Sequence, residues 1–214
     1  MKTDRRSVVV AGTMAGLALL TGSALNVASA RADVSTEALA QPGPLGDVVL
    51  GAEDAPVTIV EYASLTCPHC AAFATQTFPQ LKEKYIDRGK VKFIFREMPF
   101  DDLALAAAMV ARCAPKDKFI PMVEVLFEQQ QQWATQNARE ELFKIARLSG
   151  MTQAQFDACL KNEEIAKGII DASQRATKEF GVNSTPTFFI NGKMVKGNQS
   201  FAEMEALIKE ALPS

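Results

Sequence analysis

Two cysteines three residues apart, in Cys67-Pro68-His69-Cys70, constrain this chain more than any other feature of its sequence. Residues 57–64, just before them, are rich in β-branched side chains and predict a strand, and helical spacing begins after them. Pro68 has a fixed φ and no N–H, which suits the first position of a helix. The cysteines are therefore predicted to lie where a strand turns into a helix, where two sulfurs can close a small disulfide ring.

The start of a helix favours a thiolate at Cys67. Unpaired backbone N–H groups and the positive end of the helix dipole face this position, and the thiolate is the nucleophile of disulfide exchange. His69, the one histidine of the chain, adds a second source of stabilisation, as a hydrogen-bond donor to the sulfur or as a cation. The motif thus predicts redox chemistry, and the cysteine pair itself carries it without a cofactor.

Zinc binding and an inert structural disulfide are the alternatives for this motif. A CxxC pair is often half of a zinc site, which needs further Cys or His ligands. Besides His69, the chain offers only Cys113, Cys159 and carboxylates, and these two cysteines do not form a second ligand pair. We therefore expect no metal.

The order of elements predicts an α/β fold in which a helical block interrupts a mixed sheet. The block spans about residues 100–180, and its ends return to the same sheet. Asn191-Gly192 is a strong signal for a two-residue hairpin turn, and Pro79 should kink or divide the helix that contains it. The predicted strands are 47–50, 57–64, 91–95, 187–190 and 193–196, and the predicted helices outside the block are 73–88 and 201–212. The glutamine run 129–132 is predicted as the exposed end of a helix.

The first thirty residues have the pattern of an export signal. Lys2, Arg5 and Arg6 precede an apolar stretch, 8–20, and Ala28-Ser29-Ala30 is an A-x-A cleavage site. The apolar stretch is shorter than the roughly 20 residues that span a membrane, although an uncleaved anchor is the alternative. The Arg5-Arg6 pair also allows a twin-arginine signal. The predicted division is a signal peptide, 1–30, an extended N-terminal segment, 31–55, and one domain, 56–214.

Export affects the interpretation of the remaining cysteines and of the partners. Disulfides persist outside the cytoplasm, so Cys113 and Cys159 in the helical block are predicted to form a structural disulfide, with two separate buried thiols as the alternative. The formal net charge of −2 gives no basic field for nucleic acid. We expect a periplasmic protein.

These motifs together resemble the DsbA-like thiol:disulfide oxidoreductase family. The resemblance is carried by Cys67-Pro68-His69-Cys70 after the strand with Val60-Glu61-Tyr62, by the helical insertion and by Thr185-Pro186, and it covers about residues 55–212. It implies a thioredoxin-like domain with inserted helices, an exposed nucleophile at Cys67 and a buried resolving partner at Cys70. It also implies a cis bond before Pro186, where an ordinary trans proline is the alternative, and a Thr185 backbone that binds a substrate strand.

Glu61 allows two interpretations. With a period of two it shares one face of its strand with apolar residues such as Ile59, where an unpaired carboxylate is costly. The resemblance implies a buried acid at this position, which would relay a proton for Cys70. The alternative is an ion pair with Lys92 or Arg96 on the neighbouring strand.

Three functions remain open from the sequence. The first is an oxidase that introduces disulfide bonds into unfolded or reduced exported polypeptides and is itself reoxidised by a membrane redox partner. The second is a disulfide isomerase or reductase on the same fold. Such isomerases usually carry an N-terminal oligomerisation domain, and the segment 31–55 is too short for one, which favours a monomeric oxidase. The third is a non-catalytic chaperone that binds unfolded peptides.

Overall fold

The computed structural model describes residues 34–213, and the predicted export signal, with Lys2, Arg5 and Arg6, lies outside them. Its centre is a five-stranded sheet of order β1-β3-β2-β4-β5. The strands are β1 Val48–Leu50, β2 Val57–Ala63, β3 Val91–Glu97, β4 Thr187–Ile190 and β5 Lys193–Lys196. Strands β2 and β3 are parallel, and the other neighbours are antiparallel. The predicted α/β fold is confirmed, whereas the division of the chain at residues 30 and 55 stays a prediction.

Ten α-helices lie within the described residues. They are α1 Thr36–Ala40, α2 Pro68–Ala72, α3 Phe78–Leu81, α4 Asp102–Cys113, α5 Phe119–Glu128, α6 Gln130–Trp133, α7 Ala138–Leu148, α8 Gln153–Cys159, α9 Glu163–Phe180 and α10 Phe201–Ala211. Helix α1 departs from the predicted extended segment, because the Ser35 side chain accepts a hydrogen bond from the Ala38 N–H and caps a short turn. Within residues 34–213 we find no helix with both the length and the apolar character that crossing a membrane requires.

Helices α2 and α3 form one continuous helix with two π-helical segments, Phe73–Thr77 and Lys82–Ile86. The first of these lies just before Pro79, at the predicted kink. Proline has no N–H to donate, and its ring collides with the carbonyl four residues back in a regular α-helix. The wider turn avoids this collision, and the Phe78 N–H bonds the Phe73 carbonyl, five residues back.

The sheet has an apolar layer on each face, and strand alternation decides which side chains enter which layer. Val57 and Ile59 of β2 face the larger layer, which contains the helix after Cys67 and the packed faces of α4 to α8. Val60 and Tyr62 face the smaller layer, together with Phe180 at the end of α9. The last helix of the predicted block therefore covers the second face of the sheet, while the helices before it pack on the first.

Candidate active site

Cys67 is the N-cap of α2 and has an extended backbone, with φ −78° and ψ 120°. Pro68 is the first residue of the helix, so its missing N–H costs no helical hydrogen bond. Pro68 and His69 are exposed, Cys67 is half-buried, and Cys70 is completely buried. The strand-to-helix turn predicted from the motif thus presents one sulfur to solvent and hides the other.

The environment of Cys67 favours its charged form. A hydrogen bond from the Cys70 thiol makes the largest contribution, and hydrogen bonds from the Thr185 side chain and from the backbone N–H groups of Cys70 and His69 add to it. Partial burial opposes these hydrogen bonds, and the pKa of Cys67 is lowered to about 5. Cys67 is therefore a thiolate at neutral pH.

Cys70 lies one helical turn further on and has the opposite character. Burial raises the pKa of its thiol far above the ordinary value, and its hydrogen bond to Cys67 and the charges of Glu61 and Cys67 raise it further. Cys70 is therefore a protonated thiol in the reduced pair. The two sulfurs differ in both accessibility and charge.

Glu61 is buried in the larger layer, and its Oε1 has no hydrogen-bond partner in the described part of the chain. It adjoins a small cavity of about 20 Å³. Apart from Glu61 and Glu124, the lining is apolar: Phe73, Ala74, Phe78, Phe93, Phe95, Ile120, Val123 and Phe127. Burial, and then the charge of Cys67, raise the pKa of Glu61 to about 8, so the carboxyl is mostly protonated at neutral pH.

The alternative ion pair of Glu61 with Lys92 or Arg96 is wrong. Arg96 stands opposite Tyr62 in the register of β2 and β3, so it belongs to the smaller layer. There its guanidinium binds Asp47 at 2.7 Å. Lys92 binds Glu53 instead. Strand alternation places both bases on the face of the sheet opposite Glu61.

Thr185 and Pro186 lie beside the redox pair although they are far from it in sequence. Antiparallel pairing puts Thr187, at the start of β4, opposite Tyr62, near the end of β2. The Thr185–Pro186 peptide bond is cis, and the Cys67 thiol reaches the Thr185 carbonyl with a sulfur-to-oxygen distance of 3.4 Å. The Thr185 backbone therefore lies at the edge of the exposed sulfur.

Cys113 and Cys159 form a disulfide between the ends of α4 and α8, with their Cα atoms 6.1 Å apart. This bond lies within the helical insertion and joins no part of the redox pair. Within residues 34–213 no group of three or more His, Cys, Asp or Glu side chains is placed to hold a metal ion.

Gln130 is a site residue that the sequence analysis missed, and its predicted exposure is wrong. It is buried, and its Nε2 donates to the carbonyl of Leu65 at 2.8 Å and to that of Cys67 at 3.0 Å. A signal for its burial does exist in the sequence, since Gln130 lies four residues after Leu126 and three before Trp133, both of them buried. Helical spacing thus places it on the apolar face of its run.

The chain matches the Thioredoxin family over residues 45–210. A Bacillus subtilis protein, disulfide bond formation protein D, is 31% identical over 183 residues, which cover 80% of this chain and 80% of that protein. The chain belongs to the DsbA-like thiol:disulfide oxidoreductase family. This membership agrees with the thioredoxin-like fold, the helical insertion and the arrangement of Cys67 and Cys70.

Solved structures of DsbA-like proteins have the same fold. The crystal structure of Wolbachia pipientis alpha-DsbA1 is similar with a TM-score of 0.75 and 32% identity, covering 81% of this chain and 94% of that chain. Oxidised BdbD from Bacillus subtilis is similar with a TM-score of 0.69 and 29% identity, and the match covers 80% of this chain and 95% of that chain. A Rickettsia bellii relative is 36% identical over 168 residues, and the match spans 64% of that longer protein.

Proposed function

We propose that this protein is an exported thiol:disulfide oxidoreductase that introduces disulfide bonds into exported polypeptides through the Cys67–Cys70 pair. The asymmetry of the pair carries the proposal, because Cys67 is accessible with a pKa of about 5 and Cys70 is buried with a raised pKa. A thiolate that is stabilised only in the reduced form makes the disulfide a stronger oxidant. Each pKa unit below ambient pH is worth about 1.4 kcal/mol, or roughly 30 mV for a two-electron couple.

The reaction begins with attack on the oxidised pair. A substrate thiolate attacks Sγ of Cys67, the Cys67–Cys70 bond breaks, and Cys70 leaves with the electron pair and takes up a proton. A second substrate thiolate then attacks the substrate sulfur of the mixed disulfide, and Cys67 leaves as a thiolate. Its low pKa makes Cys67 a good leaving group.

The balance of this exchange requires an oxidant for the next cycle. Two substrate thiols lose two electrons and two protons, and the Cys67–Cys70 disulfide gains the two electrons. One proton stays on Cys70 and the other enters solvent. A membrane redox partner that accepts two electrons would restore the disulfide.

Glu61 is proposed to supply and remove the proton of Cys70. Its raised pKa, about 8, keeps it protonated at neutral pH, so it can donate to the Cys70 thiolate as that sulfur leaves. In reoxidation the ionised fraction of Glu61 would accept the proton of Cys70 and pass it on to solvent. The Oε1 atom supports this role, since among the described residues it has no hydrogen-bond partner that would hold the carboxyl in one protonation state.

Thr185 and His69 are proposed to act at the surface. The Thr185 backbone adjoins Cys67, and it would pair with an extended segment of a reduced, unfolded polypeptide while Pro186 shapes the loop. The exposed His69 side chain would add to the stabilisation of the Cys67 thiolate. We expect a periplasmic monomer whose signal peptide, residues 1–30, is removed, and the name of the Bacillus subtilis relative supports disulfide formation as the activity.

Measuring the reduction potential of the Cys67–Cys70 pair against glutathione tests this proposal. We expect a potential of about −180 mV or higher, and a value near the −270 mV of thioredoxin would indicate a reductase instead. A parallel assay follows the oxidative refolding of a reduced, unfolded protein. If Cys67→Ser still promoted refolding as well as the original protein does, the activity would be that of a chaperone.

A further inference from the structure

The helical insertion holds the loop that carries Cys67 at three consecutive residues. Gln130 of α6 donates to the carbonyls of Leu65 and Cys67, at 2.8 and 3.0 Å. The Thr66 hydroxyl, between them, donates to Asp101, the N-cap of α4, at 2.7 Å. The loop between β2 and α2 is therefore bonded to two separate helices of the insertion.

Gln130 is itself held firmly. Its amide is buried, and both carbonyls that it reaches belong to the redox loop. Trp133, one turn further along α6, is completely buried and donates its indole N–H to the Leu126 carbonyl at 2.6 Å. An amide that is buried in this way loses its hydration, so its hydrogen bonds to the loop are costly to break.

The carbonyl of Cys67 links Gln130 to the start of α2. It accepts one hydrogen bond from Gln130 and another from the Ala71 N–H at 3.1 Å, the first backbone bond of the helix. The N–H groups of the same turn, at His69 and Cys70, lower the pKa of Cys67. A fixed Cys67 carbonyl therefore fixes the direction of the helix start relative to the sulfur.

We propose that Gln130 is a positioning residue for the redox pair, which orients the active-site loop, residues 65–67, so that the start of α2 stabilises the Cys67 thiolate. The inference deepens the proposed function and rests on it, since both concern disulfide exchange at Cys67. It gives the helical insertion a part in the chemistry of the thioredoxin-like domain.

Substitution of Gln130 tests the inference, and the glutamine run that contains this residue provides the control position. Gln130→Met keeps the length of the side chain and removes both N–H donors of the amide. Gln130→Glu keeps the shape of the side chain. Gln132→Met makes the same change at an exposed position of the same helix. The measurement is the pH titration of thiolate absorbance in the folded, reduced protein, with circular dichroism to confirm folding.

We expect the Cys67 pKa to rise by about half a unit to one unit in both Gln130 variants and to stay unchanged in Gln132→Met. The rate at which the oxidised protein forms a mixed disulfide with a reduced peptide should fall in the same variants. If the Cys67 pKa is unchanged in whichever Gln130 variant folds, the inference is overturned, even where the melting temperature falls. Failure of the unsubstituted protein to oxidise thiols would contradict the proposed function instead, and the pKa comparison would still decide the role of Gln130.

Discussion

Cys67 and Cys70 are the same residue type three positions apart, and their thiols have opposite properties. Cys67 sits at the helix start, where N–H groups without helical partners point at its sulfur, and Cys70 lies one turn inside under the larger apolar layer. The protonated Cys70 thiol is in turn the main hydrogen-bond donor to Cys67. The acidity of one sulfur thus depends on the burial of the other.

The first prediction concerns which sulfur reacts. Cys70→Ser should trap mixed disulfides on Cys67, because the accessible thiolate attacks and no second sulfur resolves the bond, whereas Cys67→Ser should trap almost none. The Cys67 pKa in the original protein should be near 5, well below the free value of about 8.5. Mass spectrometry of the trapped adducts and thiolate absorbance provide the measurements. Trapping on Cys70 in the Cys67→Ser variant at an equal rate would contradict the assignment.

The second prediction concerns Glu61→Gln. The folded pKa of Glu61, about 8, lies above the ordinary 4.5, so the unfolded chain ionises first as the pH rises and the native state loses stability from about pH 4.5 up to about pH 8. The neutral amide removes this cost, and we expect the reduced variant to be more stable at pH 7 by on the order of 1–2 kcal/mol, with a smaller difference at pH 4.

Urea melts of both reduced proteins at the two pH values measure this effect. The same variant should exchange disulfides more slowly at neutral pH, because an amide side chain in place of the acid cannot relay the proton of Cys70. An equal stability difference at pH 4 and pH 7 would mean that the carboxyl ionises at the same pH in the folded and unfolded chains, and would contradict the folded pKa of about 8.

At the scale of elements, strand pairing and the insertion assemble the site from distant segments. The antiparallel pair β2 and β4 brings the Thr185 loop to Cys67, and α6 brings Gln130 to the loop that carries Cys67. The insertion is in turn cross-linked between α4 and α8 by Cys113 and Cys159.

The third prediction is that this disulfide stabilises the fold and takes no part in turnover. The bond closes a loop with a sequence separation of 46 residues. Constraint of the unfolded chain by such a loop is worth roughly 4 kcal/mol before strain, so the double variant Cys113→Ala, Cys159→Ala should lose up to that much stability. Denaturant melts measure the loss, and the Cys67 titration should be unchanged. A variant as stable as the original would contradict this role.

At the scale of the whole molecule, the redox state of one pair should change the stability of the entire fold. A disulfide constrains the unfolded chain, and for a four-residue ring that effect is only roughly 2 kcal/mol. The Cys67 thiolate exists only in the reduced form, and the hydrogen bonds that stabilise it require the folded state. The two effects favour opposite redox forms.

The fourth prediction is that the reduced protein is more stable than the oxidised protein at pH 7. The folded pKa of Cys67, about 5, lies below the ordinary 9.0, so its contribution is complete above the unfolded value and is lost as the pH falls through about 5. The stability difference should therefore shrink between pH 7 and pH 4.5. Denaturant melts of both forms at the two pH values measure it, and an oxidised form that is clearly more stable at pH 7 would favour the reductase or isomerase function.

Local interactions made much of this fold predictable. The Asn191-Gly192 turn has positive φ at both residues, 46° and 89°, which is what the predicted two-residue hairpin demands. The helix start at Cys67 follows from Pro68, and the widened turn before Pro79 follows from the missing N–H of that residue. Each of these features depends on atoms only a few residues apart, so a short window of sequence contains its cause.

By itself, the sequence determined the order of strands and helices apart from the short helix α1, the redox motif and the face of β2 on which Glu61 lies. Only the tertiary structure decided that Glu61 has no ionic partner within residues 34–213, that Arg96 binds Asp47 instead, and that Gln130 is bonded to the redox loop. The physical reason is that burial and hydrogen-bond partners are set by side chains that lie far apart along the chain. A pattern read over a few residues records which face a side chain occupies, but the packing of distant helices determines what it meets there.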